Sequence, residues 1–306
     1  METNSSVILK TDLPIPLFGR GKVRDTYELG DNLLIIATDR ISAFDVVLPC
    51  GIPDKGIVLN RLSAFWFEQT RKIIPNHLIE PLEDLSRLDD LISFRKRFKY
   101  PEYLIGRSSI VKKMARINLE CVVRGYLAGS AWEEYKKTGM VSGYQLPKGL
   151  LESQELPEPL FTPTTKAEKG HDKPLTFEEM KDVVDATLAE DLKAASLSIY
   201  NFARDFAKTK GIIIADTKME FGLNGNKLIL IDELLTPDSS RFWDMDLYKV
   251  GQSQPSYDKQ PVRDWLAHSG WNKEPPAPML PLKVIQSTAK IYRQSYERLT
   301  GTPLKD

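Results

Sequence analysis

The sequence predicts an α+β fold, and three observations carry that prediction. Strand-like runs crowd the first half, long helical stripes fill the second, and the polar motifs sit at hairpins and turns. The chain has 306 residues, room for about two ordinary domains with a full-sized core. With 42% hydrophobic and 27% charged residues, its composition is that of a folded globular chain.

Taken in order, Lys22–Leu29 and Leu33–Thr38 read as strands joined by Gly30-Asp31-Asn32, a hairpin signal. Asn60–Lys72 reads as a helix, with Asn60 as cap and Leu62, Phe65 and Trp66 on one side. Ser108–Met114 and Leu119–Arg124 are further strands, and Ser130 opens a short helix with Glu133 completing a capping box. Leu146–Lys173, rich in proline and charge, is expected to be a long loop or lid. Thr176 and Glu179 form a capping box for a helical region reaching Lys210. A break is expected near Glu190-Asp191, and Gly211 is the stop. Ile212–Gly222 and Lys227–Glu233 form a second hairpin, and a last helix runs from about Lys283 to Thr300.

Charge and rare residues remove several function classes. Forty-two Lys and Arg cancel 42 Asp and Glu, so no global field favours nucleic acid or an anionic membrane. The longest stretches free of charged residues are ten long, at 138–147 and 194–203, too short for a membrane span. METNSSVILK lacks a basic region ahead of an apolar block, so no signal peptide is expected. Cys50 and Cys121 are scattered thiols, and His77, His171 and His268 stand apart as surface or loop histidines, which argues for a reduced cytoplasmic protein without zinc.

The motifs that could carry chemistry are mostly cationic or paired with carboxylates. In Gly19-Arg20-Gly21-Lys22-Val23-Arg24 two glycines precede a strand; Lys22 and Arg24 on one strand face, about 7 Å apart, suit neighbouring phosphates. An ordinary tight turn is the competing reading. The apolar run Gly211–Ala215 then presents Asp216, Lys218 and Glu220 at alternate positions, and the next strand ends in Asp232-Glu233. Glu220 and Asp232 could hold a divalent cation, since Mg²⁺ on a nucleotide is commonly held by one or two carboxylates plus phosphate oxygens. Register decides this: a three-residue loop Asn224-Gly225-Asn226, or an equivalent bulge, sets Asp232 on the face of Glu220, and that loop is predicted. A solvated hairpin face with a salt-bridge ladder is the alternative. Arg124 with the helix start at Ser130 could take an anion or serve only as a cap. Thr236-Pro-Asp238-Ser239-Ser240-Arg241 is either a phosphate turn or an Asx turn. Lys112-Lys113-Met114 and Tyr257-Asp258-Lys259-Gln260 are unremarkable alone.

In their order, GKVRDTYE, ATDRISAFDV, ECVVRGYLAGSAW, FTPTTKAEKGHD, GIIIADTKMEFG, IDELLTPDSSRFW and SYDKQPVRDWL resemble the blocks of the SAICAR synthetase family, most closely its fungal single-function form. The resemblance implies a strand-rich ATP lobe over residues 1–117, a mixed α/β central domain over 118–262 with the metal and ribonucleotide site, and a small C-terminal helical portion over 263–306. It implies an ATP-dependent ligase of purine biosynthesis joining L-aspartate to carboxyaminoimidazole ribonucleotide through an acyl phosphate, with Mg²⁺. By motif, Gly19, Gly21, Lys22, Val23 and Arg24 would cover ATP phosphates, and Lys112 and Met114 would border the adenine. Glu220 and Asp232 would hold Mg²⁺. Arg124, Ser130 and Arg241 would grip the ribonucleotide phosphate, with Asp216 and Lys218 near its carboxylate. Asp39, Arg40, Ser42, Asp45 and Lys259 would hold aspartate. The catalytic set is then Asp216, Lys218, Glu220 and Asp232. Its partners would be small molecules, with no nucleic acid or membrane, and a monomer is the expected assembly.

The chief alternative is a small-molecule kinase of the related inositol polyphosphate kinase-like fold, which shares the Asp-x-Lys element of Asp216-Thr217-Lys218. The ECVVRGYLAGS block argues against it. A protein kinase lacks support because neither H-R-D nor D-F-G occurs. A nucleotide-sensing module is disfavoured by the intact Lys218, Glu220 and Asp232.

Overall fold

The computed structural model describes residues 7–91, 98–166 and 172–304. The chain divides into two compact units. One gathers the chain up to Phe65, His77–Lys113 and everything from Asp258; the other holds Trp66–Asn76 and Met114–Tyr257. This grouping differs from the three-part division expected from sequence.

The first unit begins with the hairpin β1 (Leu17–Arg20) and β2 (Arg24–Leu29), closed by the pair Arg20↔Asp25 and a bond from Gly21 N to Arg24 O at 2.8 Å. Lys22 therefore lies at a hairpin tip and not in the strand with Arg24, so the expected shared strand face does not form. β3 (Asn32–Ala37) pairs with β2 around the two residues Gly30-Asp31. β4 (Arg40–Ala43) and β5 (Val46–Gly51) form their own ribbon, whose tip residues Phe44 and Asp45 both take positive φ, 51° and 64°. That is the backbone a two-residue hairpin of this twist requires.

Helix α1 (Lys55–Thr70) starts five residues before the expected Asn60 cap. Asn60 is inside it and buried, donating to the carbonyls of Gly106 and Ser108, both at 3.0 Å, and accepting from Ser109 at 2.7 Å. Its amide ties helix to strand, a tertiary use that outweighs its capping preference. β6 (Leu78–Pro81), α2 (Ser86–Leu91) and β7 (Ser108–Lys112) follow, and the five-stranded sheet runs β1-β2-β3-β7-β6. Leu34, Ile36, Leu82, Leu104 and Ile110 fill its core.

The second unit is built on β8 (Ala115–Arg116) and β9 (Leu119–Tyr126), then α3 (Ser130–Thr138) and the short strands β10 (Met140–Val141) and β11 (Tyr144–Gln145). The expected loop over 146–173 contains two strands, β12 (Glu155–Phe161) and β13 (Thr164–Thr165). Pro157 and Pro159 are tolerated because β12 is an edge strand, and its pairing with β9 shifts register between Glu155 and Leu160. Of that expected lid, residues 167–171, among them His171, lie outside the described residues.

Helix α4 (Phe177–Val183) carries the Thr176–Glu179 capping box as read from sequence. The break before α5 (Ala186–Lys208) falls at Val184-Asp185, six residues earlier than expected, because Asp185 caps α5 by accepting from Leu188 N at 2.9 Å. β14 (Ile212–Asn224) is then the central strand, flanked by β9, β15 (Lys227–Ile231) and β16 (Ser240–Asp244).

The chain ends in α6 (Gln260–His268) and α7 (Leu282–Thr300), which belong to the first unit. Val262, Leu266 and Leu280 complete a core with Ile41, Leu48 and Ile52, and this packing is why the last helices do not stand as a portion of their own. Among the described residues, no helix is long and apolar enough to cross a membrane.

Candidate active site

β14 is apolar up to Ala215 and then turns polar, and its two neighbours decide what its side chains meet. Asp216 stands directly opposite Arg124 of β9 and Arg241 of β16. Cross-strand partners of opposite charge interact at short range. Arg124 Nη1 donates to Asp216 Oδ2 at 3.2 Å, and Arg241 donates to the same oxygen. The β16 partner depends on a register shift between Ile214 and Asp216; continued in step, the ladder would set Ser240 against Asp216. A bulge of this kind re-aims a side chain beside a site.

Lys218 leans diagonally to Glu120 of β9, with Nζ 2.5 Å from Oε1. Burial alone would lower the lysine's pKa, yet Glu120, Glu220 and Asp232 together raise it, so Lys218 stays charged at neutral pH. Glu220 is buried and accepts from Lys166. Burial, and then the charge of Asp232, push its carboxyl up to about 7, against the pull of Lys166 and Lys218.

The β14–β15 loop is not the expected three residues. Asn224 pairs with Lys227, leaving the two-residue turn Gly225-Asn226, in which Gly225 takes φ 61°. By strand parity this sends Asp232 to the face opposite Glu220. The ladder, however, ends at Glu220↔Ile231, and Asp232 leaves it with φ 70°. A left-handed residue breaks the alternation, and Asp232 acts electrostatically on both Glu220 and Lys218. The two carboxylates are thus electrostatic neighbours by a route other than the predicted loop. Among the described residues, no group of three or more His, Cys, Asp and Glu is arranged to hold a metal.

Helix α3 starts differently from expectation too. Its N-cap is Gly129, with φ 57° and ψ −131°, and Ser130 is the first helical residue, so the Ser130–Glu133 capping box does not form. Ser130 Oγ instead accepts from Arg124 Nη2 at 3.3 Å. A Cβ at Gly129 would lie 2.3 Å from Arg241 Nη2, so only glycine lets that guanidinium lie against the helix start. Arg124, Ser130, Asp216, Lys218, Ser239 and Arg241 line one cavity of about 200 Å³. It combines two guanidinium groups, an ammonium and a helix N-terminus, the equipment for an anionic ligand.

In the first unit, Lys22 Nζ lies 2.6 Å from Asp45 Oδ1, both side chains more than half exposed. Gly19 and Gly21 have no positive φ, and a Cβ at either would meet nothing closer than 3.6 Å. Val23 accepts from Thr38 N and Oγ1, while Arg24 begins β2. Arg40 donates to the carbonyls of Leu9, Gly21 and Lys22 and to Asp25, so it braces the hairpin. Burial alone would raise the Asp25 carboxyl, but bonds from Arg40 and Thr11 hold it below its ordinary value. Asp39 is buried and accepts from Ile8 N, Gly56 N and Arg107. Ser42 lies on β4, Lys259 caps α6, and Lys112 ends β7 exposed. Met114 opens the second unit beside Gly222.

Glu120, Thr162 and Gly129 carry no site role of their own in the sequence reading, and Ser239 enters it only as part of the Thr236–Arg241 turn. Thr162 accepts from Arg124 Nε at 3.0 Å. Glu120 lies inside the quoted ECVVRGYLAGS block, two residues from Val122, the residue opposite Lys218, an offset that becomes informative only once β9 and β14 pair.

The model of the family described as SAICAR synthetase matches residues 17–278. The chain belongs to the SAICAR synthetase family. It is 53% identical over 298 residues to the phosphoribosylaminoimidazole-succinocarboxamide synthase of Thermodesulfovibrio yellowstonii, covering 97% of this chain and 99% of that one. The Geobacter sulfurreducens synthase is 51% identical over 300 residues, with the same coverage. Among solved structures, a SAICAR-synthase from Saccharomyces cerevisiae complexed with SAICAR superposes with a TM-score of 0.89 at 45% identity, covering 98% of this chain and all of that one. The fold is the SAICAR synthase fold, with mixed α/β content. The activity is SAICAR synthetase activity, an ATP-dependent ligase function in purine biosynthesis, and the kinase reading is not favoured.

Proposed function

We propose that the cavity beside Asp216 binds carboxyaminoimidazole ribonucleotide and that L-aspartate is joined there to its carboxylate at the expense of ATP. The observation that carries this reading is the double clasp of Arg124 and Arg241 on Asp216 next to the start of α3. Arg124, Arg241 and Ser130 take the ribonucleotide phosphate; Asp216 and Lys218 attend the imidazole carboxylate. SAICAR in the yeast relative supports a ligand of this class.

Activation puts a carboxylate oxygen on the γ-phosphorus, and ADP departs. The aspartate amine then attacks the carbonyl carbon, and phosphate leaves with that oxygen and takes up the proton the amine gives off. Such steps need positioning and charge neutralisation more than covalent help from the protein. Lys218, kept protonated by three carboxylates, orients the substrate carboxylate and is not the base. Gly19, Gly21, Lys22, Val23 and Arg24 are assigned to the ATP phosphates. Neither glycine is required by its backbone, which leaves close approach of a ligand as the reason for it. Lys112 and Met114 border the adenine. Ser42, Asp45 and Lys259 are assigned to aspartate together with Asp39 and Arg40, of which Arg40 braces the β1–β2 hairpin and Asp39 the backbone at Ile8 and Gly56.

Glu220 and Asp232 fit a divalent cation: hard oxygen donors, one buried, repelling each other until a cation intervenes. Mg²⁺ held there would neutralise phosphate charge. The reading also places the chain in the cytoplasm, as a single-function monomer. Its fungal character has the yeast structure in support and two more similar bacterial relatives against it. The test follows ADP release from ATP and Mg²⁺ with the ribonucleotide, with and without L-aspartate. The product must require all three substrates; ADP release indifferent to the ribonucleotide overturns the reading.

A further inference from the structure

The bulge that sets Arg241 against Asp216 is met from helix α5 by a phenol. Tyr200 is fully buried, and its hydroxyl donates to Ile214 O at 2.7 Å, at the residue where the β14–β16 register shifts. On its other side the phenol lies against Gly125, where an added Cβ would sit 1.9 Å from the hydroxyl and 2.8 Å from Cζ. Gly125 directly follows Arg124, and the β9–β14 ladder begins at Asp216↔Arg124. One side chain therefore touches both strands at the positions adjoining the charged trio.

A purely apolar role does not account for this. The rest of the buried α5 face is Ala189, Leu192, Ile199, Ala203 and Ala207 with Ser196, whose hydroxyl donates to Leu192 O of its own helix, and phenylalanine would fill nearly the same volume as Tyr200. Bulges disturb the ladder locally, and a buried carbonyl without a partner is costly.

We propose that Tyr200 is a positioning residue for the ribonucleotide site, its hydroxyl pinning the Ile214–Asp216 bulge while Gly125 keeps the space for it. The inference rests on the reading that Arg124, Asp216 and Arg241 hold the ribonucleotide. Without the pin the bulge relaxes, Arg241 drifts from Asp216, and ribonucleotide affinity falls. ATP and aspartate affinities hold.

The test compares steady-state constants for the three substrates in the full-length protein and in Tyr200→Phe, Gly125→Ala, Gly125→Ala/Tyr200→Phe and Arg241→Ala. Tyr200→Phe is expected to raise KM for the ribonucleotide about tenfold, the scale of one lost buried hydrogen bond, and to leave KM for ATP and aspartate within about twofold. Gly125→Ala should share that phenotype. In the double variant the 1.9 Å clash with the hydroxyl is gone and the 2.8 Å approach to Cζ remains, so its KM values show whether the phenotype follows the lost hydrogen bond or the crowding. Added to Arg241→Ala, Tyr200→Phe should raise KM little further, because the two act through one contact. A lower Tm with no split among the KM values, or full additivity with Arg241→Ala, overturns the proposal. If Arg241→Ala itself leaves the ribonucleotide KM unchanged, the site reading fails instead.

Discussion

Asp232 acts on Glu220 from outside the ladder that aligns their strands, one residue beyond the last paired position, Glu220↔Ile231. Its left-handed backbone makes up for a turn one residue too short to bring the two carboxylates to one face. Asp232→Asn is expected to abolish most turnover while changing folding stability little, read from kcat beside urea unfolding. Equal losses in both would assign the residue a structural role.

The same neighbourhood sets a pH dependence. Glu220 ionises near pH 7 in the metal-free folded protein against 4.5 ordinarily, so between those values the folded state holds a proton that the unfolded chain has released. Stability from this group therefore falls as pH rises through that window and is fully lost above it. Thermal unfolding from pH 4.5 to 7.5 should show a flatter slope for Glu220→Gln than for the parent. A slope that is unchanged counts against the raised ionisation.

Gly129→Ala forces a side chain into positive φ and against Arg241. A cost of about 1–3 kcal/mol is expected from the backbone alone. Ribonucleotide KM should rise well beyond the change in ATP KM. Substrate-induced shifts in Tm check the same point without turnover.

Asp45 and Lys22 form an ion pair at the surface, and such pairs contribute about 0–1 kcal/mol. Asp45→Asn should leave unfolding within about 0.5 kcal/mol of the parent. Any rise in aspartate KM then belongs to substrate contact, and an unchanged KM removes Asp45 from that role.

Thr176→Ala deletes one half of a formed capping box at a residue that does not line the charged cavity. It should cost about 1 kcal/mol of stability and leave all three KM values alone. The variant is a calibration for purely structural loss.

Reading the chain residue by residue captured what local chemistry decides. The Thr176–Glu179 box and the alternation of Asp216, Lys218 and Glu220 each follow from neighbours within a turn or a strand. The failures share a cause. Asn60 and Ser130 have good capping side chains, but distant partners, the Gly106 and Ser108 carbonyls and the Arg124 guanidinium, claim them. The Gly225-Asn226 turn and the bulge before Asp216 are single-residue choices that local sequence leaves open and sheet pairing settles. Glu120 was invisible as a partner of Lys218 until β9 and β14 were known to be adjacent.

The core formed by Ile41, Leu48 and Ile52 with Val262, Leu266 and Leu280 joins segments about two hundred positions apart. During synthesis that core cannot close until the segment from Val262 to Leu280 has left the ribosome, whereas Met114–Tyr257 is already whole. The half made first is thus finished last, and nascent chains halted before Val262 should expose the unfinished β4–β5 ribbon to chaperones and proteases.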